Sequence, residues 1–183
     1  MNEDLLFFLS AFCIIVTFLI TGCRGLKAYS DFEPPDTELS EYRALEIADL
    51  ETEIPDVPQD ALTKIPDEVA NLLASKRDGF EEVERGAIDD VPAEETLVLI
   101  GTITDYQSGR DVESEGGSIK FGEAALSIQL SLVEEATGRE ISTGNVSGFS
   151  SIGIGLFRGG LVRKGIYEKL AKEIVKFISD NYN

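Results

Sequence analysis

The chain has 183 residues, with 34 Asp and Glu against 16 Lys and Arg, no His, and a net charge of −18. Such a surface repels phosphate backbones and argues against nucleic-acid binding, and without histidine the commonest metal ligand and general base is missing. The two cysteines, Cys13 and Cys23, both fall near the start, so the body of the chain has no pair for a disulfide.

From Leu5 the sequence is apolar up to Leu19-Ile20-Thr21-Gly22-Cys23 and then turns polar at once. Leu5 to Ile20 is shorter than the ~20 residues a permanent spanning helix needs, and an apolar run ending in two small residues and a cysteine fits a cleaved export signal. Ile20, Thr21, Gly22 and Cys23 resemble the lipobox of bacterial lipoproteins. That resemblance implies cleavage before Cys23, a thioether-linked diacylglycerol on its sulfur, and an N-acyl chain such as palmitate on the new amine. Cys13 reads as one more apolar residue of the signal. Glu3 and Asp4 stand where a signal peptide carries positive charge, while Arg24 and Lys27 lie beyond the run. A start codon placed elsewhere, or a retained anchor with its C-terminus in the cytoplasm, therefore stay open. Arg24 after the cysteine, in place of Asp, resembles the outer-membrane sorting pattern, so the periplasmic face of the outer membrane is the expected location.

Removal of residues 1–22 leaves 161 residues, about one domain. Arg24 to Glu41, with Pro34-Pro35 and scattered acids, reads as an acidic tether. Acids concentrate early: residues 28–95 hold 21 Asp and Glu against 5 Lys and Arg, and residues 96–183 hold 11 against 9. An acidic surface that keeps the domain soluble accounts for the excess more simply than a dedicated cation site.

Ala44 to Leu50 reads as a first strand. A helix is expected with Pro66 early in it, Asp67 and Glu68 at its N-terminal end, Val69, Leu72 and Leu73 as its apolar stripe, and Gly79 as its stop. Phe80 to Arg85 reads as a charged edge strand. Thr96 to Tyr106 is apolar on both faces at first, which predicts a central strand. Ala124 to Val133 alternates with period two, placing Leu126, Ile128 and Leu130 inward and Gln129 outward. Thr137-Gly138 turns into a strand over Glu140 to Phe149, and Gly153 to Gly160 forms a glycine-rich bend. The closing helix, about Leu161 to Asn181, repeats Ile166, Leu170, Ile174 and Ile178 at spacings of four. Lys164, Lys169, Lys172 and Lys176 occupy its remaining surface. They form either a candidate docking patch or a solvated face with partners such as Glu168 for Lys172 and Glu173 for Lys176.

Ile100-Gly101-Thr102-Ile103-Thr104-Asp105-Tyr106, then Ala136-Thr137-Gly138-Arg139-Glu140-Ile141 and a Lys-rich final helix, resemble the bacterial lipoproteins grouped as domain of unknown function 4410. Ile65-Pro66-Asp67-Glu68-Val69 and Gly79-Phe80-Glu81-Glu82-Val83 fit the first half of that pattern. The resemblance implies an α+β fold: a mainly antiparallel sheet of four to five strands with two helices on one face, in the order β-α-β-β-β-β-α. In outline it is similar to the periplasmic domain of the curli secretion lipoprotein, without that protein's long amphipathic strands for a membrane barrel. The domain plan is then a signal peptide over 1–22, a lipidated cysteine and flexible tether over 23–41, and one periplasmic domain over 42–183.

Neither catalytic nor metal residues are assigned, and no cofactor beyond the covalent lipid on Cys23. Glu134-Glu135 and Asp89-Asp90 are pairs among many acids, and the G-x-G of Gly153-Ile154-Gly155 lacks the lysine or downstream acid that a nucleotide site needs. The expected role is a non-catalytic lipoprotein, held to the membrane by its anchor, that binds or organises an envelope protein partner. Self-association into a homo-oligomer is open. Two alternatives stand beside this role: a subunit of a secretion or adhesion assembly, and an envelope enzyme working through carboxylates.

Overall fold

The computed structural model describes residues 26–76, 79–107, 110–114, 117–152 and 159–182; within 110–123 and 150–164 it describes the backbone alone. The strands are β1 (Leu26–Phe32), β2 (Ala44–Ile47), β3 (Glu51–Thr52), β4 (Glu82–Arg85), β5 (Thr96–Gln107), β6 (Arg110–Ser114), β7 (Gly117–Glu134) and β8 (Glu140–Ile152). Helix α1 spans Gln59–Ala74 and α2 spans Gly159–Asp180. Short 3-10 turns at Leu39–Glu41 and Ala93–Glu95 precede β2 and β5.

The sheet runs β1-β8-β7-β5-β2-β4, with β3 paired to β5 and β6 to β7. It is larger than the four to five strands expected, and it is mixed. β1, β8, β7 and β5 pair antiparallel, whereas β2 and β3 run parallel to β5 and β4 runs parallel to β2. The parallel half arises because α1 carries the chain from β2 to its neighbour β4, and a parallel neighbour requires such a crossover.

The first strand lies inside the stretch read as a tether. Leu26 to Phe32 pairs with Ser150 to Gly144, so the fold already includes Leu26 and does not wait for Tyr42. The chain stays attached beyond the strand, with Glu33 N donating to Thr143 O at 2.8 Å and Asp36 N to Ile141 O at 3.0 Å. Acidity does not oppose this, because β1 is an edge strand with only one neighbour to satisfy.

Helix α1 also starts earlier than expected, so Pro66 sits in its middle rather than its first turn. Proline has no N–H to give the carbonyl four residues back, and inside a helix that normally costs ~3 kcal/mol. Here the freed carbonyl of Leu62 accepts from Leu50 N at 3.0 Å. The loop after β2 thus docks on the helix through the bond that Pro66 leaves open.

Both helices cover one sheet face. Ile65, Val69 and Leu73 of α1 and Ile166, Leu170 and Ile174 of α2 join Leu45, Leu97, Leu99, Ile128 and Leu130 in a single core. Gly148 sets how closely α2 approaches: a Cβ there would lie 2.9 Å from Ile166 Cγ2 and 3.1 Å from Leu170 Cγ. Leu126, Ile128 and Leu130 are buried and Gln129 is exposed, as the alternation predicts. Gly138, with φ of +69°, makes the β7–β8 turn.

Candidate functional site

Among the described residues no helix covers the second sheet face. Strand pairing aligns its side chains into cross-strand rows: Tyr29 beside Ser147 and Ser127, then Asp31 beside Asn145, Gln129 and Thr102. Hydroxyls bond along the rows, Ser127 Oγ to Ser147 Oγ at 2.9 Å and Ser131 Oγ to Thr143 Oγ1 at 3.2 Å. Among these polar groups stand three exposed large apolar side chains, Tyr29 (56% exposed), Ile100 (44%) and Phe149 (38%). The rings of Tyr29 and Phe149 lie 6.1 Å apart and tilted.

At the β2 side the same face is closed. β4 runs parallel to β2 and β2 parallel to β5, so the chain between Arg85 and Thr96 has to travel back along the strands. Thr96 Oγ1 donates to Pro92 O at 3.0 Å, and Thr96 and Ala44 are both fully buried. Arg43 ties the start of β4 to the end of this segment, with salt bridges of 2.8 Å to Glu81 and 2.8 Å to Glu95.

Carboxylates near this corner sit in contrasting environments. Burial, and then repulsion from Glu135, pushes the Glu46 carboxyl above the ordinary value of 4.5. Glu134 is held below that value, chiefly by the hydroxyl of Thr137 and also by the charge of Arg139 and a hydrogen bond from Tyr42. Tyr42 Oη donates to Glu134 Oε1 at 3.3 Å, and burial followed by that carboxylate raises the phenol's own pKa. A divided pair of acids is what carboxylate catalysis uses, but such chemistry also needs a concavity. Two hollows between elements hold ~10 Å³ each, room for about one water molecule. Neither is lined by Glu46, Glu134 or Glu135. Among the described residues, no cluster of three or more His, Cys, Asp or Glu is placed to hold a metal ion.

The lysines of α2 divide by environment. Lys169 reaches across to the backbone carbonyl of Leu26 in β1. Lys176 pairs at 3.3 Å with Asp180, one turn on, and Glu173 accepts instead from Ser30 Oγ at 3.3 Å. Lys172 points to solvent. The side chain of Lys164, and all of Ile20, Thr21, Gly22 and Cys23, lie outside the described residues. So does the glycine bend from Gly153 to Arg158. Among the described residues no helix is long and apolar enough to cross a membrane. Sequence reading missed β1 and with it the open-face row of Lys27, Tyr29 and Asp31; the only mark is the short alternation of Lys27 and Tyr29 with Leu26 and Ala28, which stops at the exposed Ser30.

Solved structures share this architecture. PelC from Paraburkholderia phytofirmans, crystallised as a dodecamer, is similar with a TM-score of 0.52 at 14% identity, covering 84% of this chain and 99% of that one. A variant of the same dodecamer gives 0.53 at 13% identity, covering 84% and 95%. Lipoprotein GNA1162 from Neisseria meningitidis is a looser likeness, with a TM-score of 0.41 at 19% identity over 75% of this chain and 98% of that one. No protein-family model matches the sequence, and no curated protein does either. The domain of unknown function 4410 therefore remains a resemblance of pattern. At these identities what the chain has in common with PelC is its α+β fold.

Proposed function

We propose that this chain is a lipid-anchored, non-catalytic lipoprotein of the bacterial envelope, of the kind grouped as domain of unknown function 4410, which organises partners on the periplasmic face of the outer membrane. The observation that carries the reading is the nearness of the lipobox to the fold. Cys23 precedes the first residue of β1, Leu26, by three positions, a reach of at most ~10 Å. A lipid on that cysteine would hold the domain against the bilayer, where an 18-residue tether would have let it stand well off. The surface for partners in this reading is the open sheet face, which is broad and polar with scattered aromatic rings.

A second reading, a subunit of a larger assembly that includes copies of itself, is favoured by the likeness to PelC, which was crystallised as a dodecamer. Fractionation of cells expressing Cys23→Ser tests the anchored reading. The wild-type chain should pellet with membranes and resist salt extraction, while the variant should be soluble or stalled with its signal attached. A serine variant that sediments with membranes like wild type after its signal has been cleaved would overturn it.

A further inference from the structure

Among the described residues β1 is an edge strand with one side unpaired. Glu33 N donates inward to Thr143 O, and in an antiparallel pair the inward residues alternate. Lys27, Tyr29 and Asp31 therefore turn their backbone groups toward β8, and Leu26, Ala28, Ser30 and Phe32 turn theirs outward. The contact from Lys169 Nζ to the Leu26 carbonyl, at the outer side of the strand, agrees with this assignment. Beyond the Leu26 carbonyl that Lys169 holds, this extended row of donors and acceptors is a template for another strand unless charges or cover prevent it.

The strand reads Leu-Lys-Ala-Tyr-Ser-Asp-Phe, and its chemistry is symmetric about Tyr29. Apolar residues stand at both ends, then one charge of each sign, then two small residues. Turned by a two-fold axis at Tyr29, the strand meets itself with Leu26 opposite Phe32, Lys27 opposite Asp31, Ala28 opposite Ser30, and Tyr29 opposite Tyr29. Of the two-fold registers this alone sets Lys27 against Asp31; centring on Ala28 puts Lys27 against Tyr29, and centring on Ser30 puts Asp31 there. The parity is also correct, since Ala28 and Ser30, whose backbones face outward, become a hydrogen-bonded pair. Lys27 and Asp31 are exposed and neither has an ion pair among the described residues.

We infer that β1 is the self-association edge of this protein: two copies join antiparallel through Leu26–Phe32 into one continuous sheet, with Lys27 of each copy against Asp31 of the other and the two Tyr29 rings side by side. The inference rests on the self-association favoured above and names its contact. The two chain starts would then lie ~20 Å apart along the joined strands, six residues at ~3.4 Å each, and both anchors reach one bilayer when the strands lie along it.

Sedimentation of the full chain in detergent, with charge exchanges at residues 27 and 31, tests this. Wild type should sediment as a dimer or an even multiple of one. Lys27→Asp or Asp31→Lys places like charges opposite each other twice per contact and should weaken self-association about tenfold. The exchange Lys27→Asp with Asp31→Lys should restore it, and so should an equal mixture of the two single variants. Circular-dichroism melts establish that each variant is folded, as both side chains are exposed. A wild-type chain that stays monomeric overturns the proposal. Single variants that assemble like wild type also overturn it, though an assembly that persists in them would leave self-association through another surface standing. Loss in the single variants without rescue in the exchange would point to a contact between β1 and a different edge, and overturns self-pairing.

Discussion

Ile128 and Gln129 are neighbours in β7 with opposite fates, the first wholly buried beneath the helices and the second exposed on the open face. Ile128→Ala should cost about 2–5 kcal/mol in a urea titration, from lost transfer energy and the cavity left behind, whereas Gln129→Ala should stay within ~0.5 kcal/mol. Equal costs would mean that the two faces are wrongly assigned. Glu46 adds a pH signature. Its carboxyl is raised by burial, so the folded state binds this proton more tightly than the unfolded chain, and ionisation at neutral pH works against folding. Glu46→Gln should therefore melt above wild type at pH 7, and the gain should shrink as pH falls through the raised value and vanish well below the ordinary 4.5. Glu134 has the opposite sign. Its lowered carboxyl contributes stability that is present above the ordinary value and is lost as pH falls through the folded one, so Glu134→Gln should melt below wild type at pH 7 and approach it in acid. Thermal melts of both variants across pH 3–7, bracketing the ordinary carboxylate range, check the two signs.

Helix α2 lies directly on Gly148, where a Cβ would approach Ile166 to 2.9 Å. Gly148→Val should push the helix off the sheet and cost about 1–3 kcal/mol by denaturant titration; a cost near zero would mean that the contact is loose. Replacing Lys169, Lys172 and Lys176 together with Gln should change stability little, since exposed pairs such as Lys176 with Asp180 are worth ~0–1 kcal/mol. The same variant should bind anionic vesicles less tightly at low salt if the patch docks there. Elements with one buried face, such as β7 and α2, were legible in the sequence because burial writes its period into the residues. β1 was not. Its exposure alternates only weakly because an edge strand buries little, and its partner β8 lies at the other end of the chain. The start of α1 was hidden for another reason: Pro58, at its N-cap, supplies no side-chain hydrogen bond, and Pro66 imitates a first-turn signal. The rescue of the Leu62 carbonyl by Leu50 is tertiary and leaves no local mark.

At the scale of the whole molecule, the early strand changes what the lipobox means. With Leu26 already in the fold, nearly all of the chain after Cys23 is domain, and the basic residues Lys27 and Lys169 flank Leu26. The parallel arrangement of β2, β4 and β5 was unreadable from period alone, because short strands carry no record of direction. It nonetheless decides which part of the second face stays open, by forcing the segment after β4 back across one corner. Under the proposed function, the remaining open face is the surface for partners and the β1 edge the surface for a second copy, and a lipid on Cys23 would bring both to the bilayer. Mass spectrometry of the protein extracted from native membranes measures that anchor directly. A mature N-terminus at Cys23 carrying diacylglycerol and an N-acyl chain is the predicted result, and a chain that begins at Met1, or an unmodified Cys23, would contradict the account.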